Sequence, residues 1–589
     1  MDYVFGPVVS DNATIFRLWA PSAKKASVVF PDRDPVAMQR GADGFLEATV
    51  ADCAPGQKYK FRIKKLEFPD PAARWQDGDT SAWSVVTGRV SNRPCSAVAR
   101  PWHEAVVCEV HIGTVSPEGT FAGLMQRLEH FRDAGYTALE IMPINAFPGT
   151  RNWGYDGALI FAPASAYGTR EDLRALVDRA HELGIAMILD VVYNHFGSVD
   201  NFIEKYAPEF FDPKVKTPWG PGVDFTEPMV RQFYYDNAQL WIEEFDFDGL
   251  RFDSVNEIAT DARGLFLREL AQGIRQSKPD ALLIIENMDN IASLLDRDDA
   301  DQPLHYSAQW NDDIHHVLNF LVTGAAKGGY DDPSKDPIAA LEKSLADGFV
   351  HDGEADGESD ETSRDEPASR LPPDAFVSFV QNHDQIGNRA DGMRLPDRVG
   401  PEKLDFVRFV TMLAPQVPLF FMGEEGNLCS PFPFFFDLDE KVAAEKRADR
   451  YDQLNEIFEE DVKPGQLPDP NDPETFLSAK IRWLDYRLPE KLDGLQRFRE
   501  LARYRRELLW PLAASTCLDA TTVRQGNAII VNWVFEAGTL TMVLNPSEQP
   551  SDIACVVSAA PVCTGSFSQQ GEVLRLGGWS SVVWSSVRP

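Results

Sequence analysis

The sequence predicts a multidomain protein in which a (β/α)8 TIM barrel carries a β-sandwich domain on either side. Three observations lead there. From about residue 105 apolar strands alternate with amphipathic helices, as in AVVCEVHIG, TFAGLMQRLEHFRDAG, YTALEIMPI, REDLRALVDRAHELG and IAMILDVVYNH, which is the rhythm of βαβ units with a parallel sheet and right-handed crossovers. Further strands near FDGLRFD, ALLIIEN, YSAQWND, AFVSFVQNHD and VPLFFMGEE bring the count to eight, the number that closes such a sheet into a barrel with its active site at the C-terminal strand ends. The flanking regions have a different texture, with short apolar runs between Pro, Gly and Asp.

Residues 1–98 contain ATIFRLWAP, KASVVF and YKFRIKKLEF between such breaks, the pattern of an antiparallel sandwich. The barrel is assigned to 99–511. Within it, residues 196–226 are rich in Pro and aromatics and interrupt the third unit as a small insertion. Residues 351–370, HDGEADGESDETSRDEPASR, carry almost no large apolar group, so they are expected to form a solvated loop. After the helical run LDGLQRFRELARYRRELL, residues 512–589 return to pieces such as NAIIVNWVF, GTLTMVLN and SSVVW, a second β-sandwich. No repeat of 20–50 residues supports a solenoid or propeller.

At 589 residues the chain exceeds what one core can organise. With 91 acidic and 57 basic residues its net charge is −34. Such a field repels phosphate backbones and anionic lipid, so the sequence argues against nucleic-acid and membrane partners and favours a neutral substrate. The start MDYVFGPVVSDNATIF has no basic stretch before an apolar one, and no 18-residue apolar run occurs. Seven scattered cysteines without CxxC spacing argue against a disulfide framework and a thiolate zinc site. A cytoplasmic location is expected.

The chemistry starts from GLRFDSV, residues 249–255, where an arginine and an aspartate stand in an apolar run. Buried charge is costly unless paired, and alternation along a strand puts Arg251 and Asp253 on one face. The guanidinium is then expected to keep the carboxylate ionised. Alone, the heptapeptide reads equally as a structural ion pair or a nucleophile with its partner. Other strand ends decide between them. Strand three ends in Asp190, Asn194 and His195, strand five in Glu286, and strand seven in His383 and Asp384. Carboxylates converging on one rim are the equipment of glycoside hydrolysis, one acting as acid and another as nucleophile or base. Trp153 and Tyr155 in RNWGYDG could stack on sugar faces, although such rings more often pack in a core.

These segments resemble regions of the α-amylase superfamily: DVVYNH the first, GLRFDSV the second, the glutamate of LLIIENMD the third and FVQNHD the fourth. EVHIGTVSPEGTF, RNWGYDG, TPWGPGVDF, AQWNDDIHH, QNHDQIGNRADG and FMGEE with PFPFFF further resemble the maltooligosyltrehalose trehalohydrolases, a vocabulary partly shared with glycogen branching enzymes. The resemblance implies a retaining hydrolase with Asp253 as nucleophile, Glu286 as acid and base, and Asp384 as the third carboxylate. A carbohydrate-binding-like N-terminal domain follows from it too. Asp190, His195, Arg251 and His383 would serve sugar binding, with Tyr155 and Trp153 beside them. The substrate implied is a neutral α-glucan oligosaccharide, cleaved at the α-1,4 bond next to a terminal trehalose. The nucleophile and acid carboxyls of a retaining enzyme lie about 5–5.5 Å apart.

No cofactor or metal is expected. Related amylases bind calcium partly through the asparagine matching Asn194, but the insertion here offers few further oxygen ligands. The chain departs from the trehalohydrolase pattern at Ser254 and Asn256, where alanine and histidine are common, at Ile285, where alanine is, and in the spacing of DPAARWQDGDTSAW. A branching enzyme, which passes the same intermediate to a sugar hydroxyl, an amylase acting on internal bonds, and a silent carbohydrate-binding protein are the alternatives. The intact carboxylates argue against the last.

Overall fold

The computed structural model describes residues 3–10, 13–90, 100–217, 219–258, 262–324, 335–351, 367–458, 467–558 and 560–587. Of the acidic stretch 351–370, residues 352–366 lie outside them.

Eight parallel strands close in chain order: β1 (Val107–Val110), β2 (Ala138–Ile141), β3 (Ala186–Val191), β4 (Gly249–Phe252), β5 (Leu282–Glu286), β6 (Ala308–Trp310), β7 (Phe376–Ser378) and β8 (Val417–Phe421). Strand β8 returns to β1 through Val107 opposite Leu419 and Glu109 opposite Phe421. All eight strands expected from the sequence stand in this barrel. Their side chains alternate in direction. Val107, Ile188, Ile284, Ala308, Val377 and Leu419 meet in a cluster of their own, whereas Leu250, Phe252, Leu283 and Ile285 join the larger core. Gly249 opens β4 because a Cβ there would stand 1.9 Å from the Leu282 carbonyl oxygen, the price of close strand approach.

The helices outside follow from ordinary capping and periodicity. Arg170–Glu182 begins at a capping box in which Thr169 and Asp172 satisfy each other's backbone amides. It buries Leu173, Leu176, Val177 and Ala180, a stripe at helical spacing. Asp312–Thr323 follows β6 and is capped by Asn311. The last long helix, Pro489–Leu508, buries Arg505, which donates to the carbonyls of Met412, Ala414 and Gln416 at 2.7–2.9 Å. One guanidinium thereby satisfies the chain where it turns into β8.

The N-terminal region forms two antiparallel sheets, one of which pairs Ala13–Trp19 with Phe45–Ala51 and the other Ser27–Val29 with Lys58–Ile63. Phe16, Tyr59, Phe61 and Phe68 fill the space between them with successive ring contacts. Phe68 also lies flat on Tyr206, ring centroids 4.4 Å apart and planes 9° from parallel, and Trp19 meets Phe210 edge-on at 5.2 Å. Tyr206 and Phe210 belong to the insertion, which consists of a turn of helix (Ile203–Tyr206), a 3-10 turn (Pro208–Phe210) and a hairpin (Phe211–Thr217 with Gly220–Val223). Thr80 adds a hydrogen bond to Asp200 at 2.7 Å. The N-terminal sheets therefore carry the insertion on their surface.

Phe68 is fully buried, so Phe68→Ala is expected to destabilise the protein by about 3–5 kcal/mol. Chemical denaturation followed by tryptophan fluorescence measures it, and a loss below 1 kcal/mol, roughly that of a half-exposed ring, would contradict this packing.

The C-terminal region has a five-stranded sheet built on Cys517–Gln525, Ala528–Phe535, Gly538–Asn545 and Ser580–Val587 and a three-stranded one centred on Val573–Leu576. Ile530, Val543 and Val582 of the first pack against Ile553, Leu574 and Leu576 of the second. Trp533 donates its indole N–H to the Leu345 carbonyl at 3.0 Å and ties this region to the barrel. The six described cysteines are free. Among the described residues no helix is long and apolar enough to cross a membrane.

Candidate active site

The polar residues gather at the C-terminal rim because β3, β4 and β5 are neighbours in register: Asp190 stands opposite Arg251, and Phe252 opposite Ile285. Arg251 points into the barrel from β4 and is 0% exposed, with its guanidinium 4.0 Å from the centre of the Trp310 ring. It binds three carboxylates. Nη1 donates to Asp190 at 2.6 Å and to Asp253 at 3.0 Å, and Nη2 donates to Glu286 at 2.5 Å. The contact expected from strand alternation between Arg251 and Asp253 is thus present, but the same cation also reaches the next strand.

Asp253 lies one residue beyond β4. The Asn194 amide donates to its Oδ2 at 2.9 Å and to its carbonyl at 2.8 Å, so its carboxylate is held from both sides. The Asn194 carbonyl oxygen faces His195 Nδ1. Glu286 closes β5 and receives three donors on one oxygen: Arg251, the Ser254 amide at 2.9 Å and the Ser254 hydroxyl at 3.1 Å. Burial raises its pKa, reinforced by Asp253 and Asp384 and opposed by Arg251 and the Ser254 amide. A raised carboxyl is better suited than an ordinary one to act as a proton donor.

Asp384 sits in the first turn of a short helix, His383–Gly387, whose cap Asn382 accepts the amides of Asp384 and Gln385. Its side chain is 34% exposed, against 12% for Asp253 and 11% for Glu286. Burial works against its charge, but His383, Arg251 and Arg450 outweigh it and hold the carboxyl at about 2. His383 lies between Asp384 and the buried Glu109, which meets its Nδ1. Burial alone would favour the neutral ring, yet these two carboxylates push its pKa well up. Of the titratable residues named from the sequence, the ones with carboxylates open to the cleft are Asp253, Glu286 and Asp384.

Five of the six residues expected to touch sugar are buried, His195 among them. Asp190 and Arg251 are 1% and 0% exposed and form the floor beneath the three acids. Burial raises Asp190 to about 7 against the pull of Arg251, and its Oδ2 also accepts the Tyr155 hydroxyl at 2.7 Å. Trp153 is 3% exposed, stacks on Phe432 and donates to the Pro433 carbonyl at 3.1 Å. It offers no face to a sugar and instead braces His383 edge-on. His383 has both ring nitrogens occupied by carboxylates. Tyr155 is half-buried and lies parallel to His383 at 4.9 Å, and it alone of the two predicted rings borders the cleft.

His195 is buried under an aromatic neighbour that the sequence reading did not single out. Trp219, in the turn of the inserted hairpin, stacks on it at 3.9 Å and 13°, beside a cavity of about 80 Å³ lined by Asn201, Glu204 and Thr217. Its Nε2 meets the Tyr155 carbonyl, and burial lowers its pKa. Glu109, Asn194 as a support for Asp253, Trp310 and the Ser254 hydroxyl were also not singled out. Glu109 could have been found by the rule that exposed Arg251, because it too is a charge inside an apolar strand. Glu140 on β2 obeys the same rule. Its pKa is raised well above the carboxylate range, chiefly by burial, with Arg251 and Asp190 as charged neighbours.

The arrangement can supply an oriented carboxylate and, on the adjacent strand, a carboxyl that holds a proton, with one cation fixing both. That is equipment for acid-assisted displacement at an anomeric centre.

The family of alpha amylase catalytic domains matches residues 71–219, and carbohydrate-binding module 48, the isoamylase N-terminal domain, matches residues 4–75. Malto-oligosyltrehalose trehalohydrolase from Deinococcus radiodurans is 34% identical over 93% of this chain and 90% of its own. The protein of that name from Saccharolobus solfataricus is 33% identical over 91% and 94%. A crystal structure of a Salmonella typhimurium protein, 34% identical, superposes over the whole of both chains with a TM-score of 0.92.

Proposed function

Because the chain belongs to the malto-oligosyltrehalose trehalohydrolase family of α-amylase-type glycoside hydrolases, we propose that the rim around Arg251 cleaves the α-1,4-glucosidic bond beside the terminal trehalose of maltooligosyltrehalose. Products are trehalose and a shorter maltooligosaccharide. The substrate in this reading rests on the likeness to the trehalohydrolases, and the observation that carries its chemistry is the bridge from Arg251 to both Asp253 and Glu286. Two carboxyls gripped by one guanidinium from adjacent strands are close, which favours the retaining geometry over the wider spacing that admits a water between them.

In the first step an Asp253 oxygen attacks the anomeric carbon while the Glu286 proton passes to the departing glycosidic oxygen. A covalent glycosyl ester forms and trehalose leaves. In the second step Glu286, now ionised, takes a proton from water as that water displaces Asp253, which restores both groups. Asp384, charged across the working pH range, binds hydroxyls of the sugar at the cleavage point and balances the positive charge that develops in its ring. Tyr155 forms one wall of that site. Asp190, Arg251, Asn194, Trp153 and His383 position these groups from below. The neutral glucan suits a strongly acidic surface, and the free cysteines suit the cytoplasm, where we place the enzyme.

Product analysis tests the substrate. Incubation with maltotriosyl-trehalose is expected to release free trehalose, with maltopentaose turned over at least about tenfold more slowly, the ratio that 1.4 kcal/mol of selective binding gives. Equal cleavage of both, or branched products, would replace the trehalohydrolase reading with a general amylase or a branching activity.

A further inference from the structure

We propose that the Ser254 hydroxyl is a positioning group that sets the proton affinity and the reactive oxygen of Glu286. The inference rests on Glu286 being the acid and base. Ser254 follows the nucleophile in a left-handed conformation, φ 35° and ψ 58°, unusual for a residue with a side chain. That backbone turn aims its N–H at Glu286 Oε2, 2.9 Å away, and brings Oγ to 3.1 Å from the same atom. Arg251 Nη2 fills the third direction. Three donors saturate Oε2, so a proton on Glu286 resides on Oε1, for which no protein donor is found among the described residues. That is the oxygen free to meet the leaving group.

A hydroxyl donating to a carboxylate stabilises its ionised form. Ser254 thus opposes the burial and the neighbouring negative charges that raise Glu286. The charged groups facing Glu286 are Arg251 and Asp253 at the end of β4, Asp384 after β7 and Asp312 after β6. Removing the hydroxyl changes the charge of none of these groups. Without it Glu286 holds its proton to higher pH, becoming a weaker acid and a stronger base.

The test is the pH dependence of kcat/KM for Ser254→Ala and Ser254→Gly. Both lose the hydroxyl, whereas glycine also relieves the left-handed backbone, so the two variants separate side chain from main chain. On maltotriosyl-trehalose both are expected to shift the alkaline limb upward by about one to two pH units, the scale of one hydrogen bond to a charged group. On α-maltotriosyl fluoride, whose leaving group departs without a proton, wild type and variants are expected to share one profile. Unshifted alkaline limbs, a downward shift, or a shift in alanine alone would overturn the inference, as would the same shift on the fluoride. If Glu286→Gln cleaves maltotriosyl-trehalose as fast as wild type, the assignment of Glu286 itself fails. If wild type attacks maltopentaose equally well, only the substrate reading fails, and the shift is then read on maltopentaose.

Discussion

Asp253→Ala is expected to lower kcat on maltotriosyl-trehalose by more than about ten-thousandfold, and Glu286→Gln by about a hundred- to ten-thousandfold, with the fold intact in both. The two losses differ in kind. Without Asp253 no glycosyl ester forms. Without a proton donor at 286 the ester still forms when the leaving group departs unaided, so Glu286→Ala should accumulate it from α-maltotriosyl fluoride. Azide needs no general base, and adding it should restore turnover of that variant with an α-configured glycosyl azide as product. Mass spectrometry of the trapped protein and NMR of the azide read both outcomes. Near-normal activity in either variant, or an azide of inverted configuration, would refute the assignment of roles.

Arg251→Met should be the most damaging single change to the scaffold. It leaves Asp190, Asp253 and Glu286 facing one another without the cation that all three bind. Removing one partner of a buried ion pair costs about 3–5 kcal/mol, and the methionine variant is expected to lose at least that much in denaturant titration. Arg251→Lys retains a charge but presents a single ammonium where a planar fork spans two strands. It should fold, yet turn over below about one per cent of wild type, the fraction that corresponds to 2.7 kcal/mol of lost positioning. A lysine variant with full activity would mean that the bridge from Asp253 to Glu286 is dispensable.

Much of this site was legible because charge inside an apolar strand demands a reason. Arg251, Asp253, Asp190, Glu286 and Asp384 all stand out on that ground. What the sequence could not supply was depth. Asp190 and Asp253 are both aspartates at strand ends, but one lies beneath the guanidinium and the other above it, and only the barrel's register separates them. Trp153 and Tyr155, two residues apart, illustrate the same limit: an indole suited to a sugar face is equally suited to a core, and Phe432 claims it. Glu109 and Ser254 act through partners 274 and 32 residues away, which no local pattern encodes. The eight strands were easier to find, since their apolar runs and punctuation are local properties. Trp219 lies in the insertion, whose path over His195 depends on its contact with the N-terminal sheets.

That contact has a bearing on how such proteins can diverge. Tyr206 rests on Phe68 while Trp219, thirteen residues later, covers His195, so the carbohydrate-binding module and the catalytic rim share one short lever. Here an exchange of the N-terminal module between relatives would have to bring residues 196–226 with it, and lineages that change one would be driven to change the other.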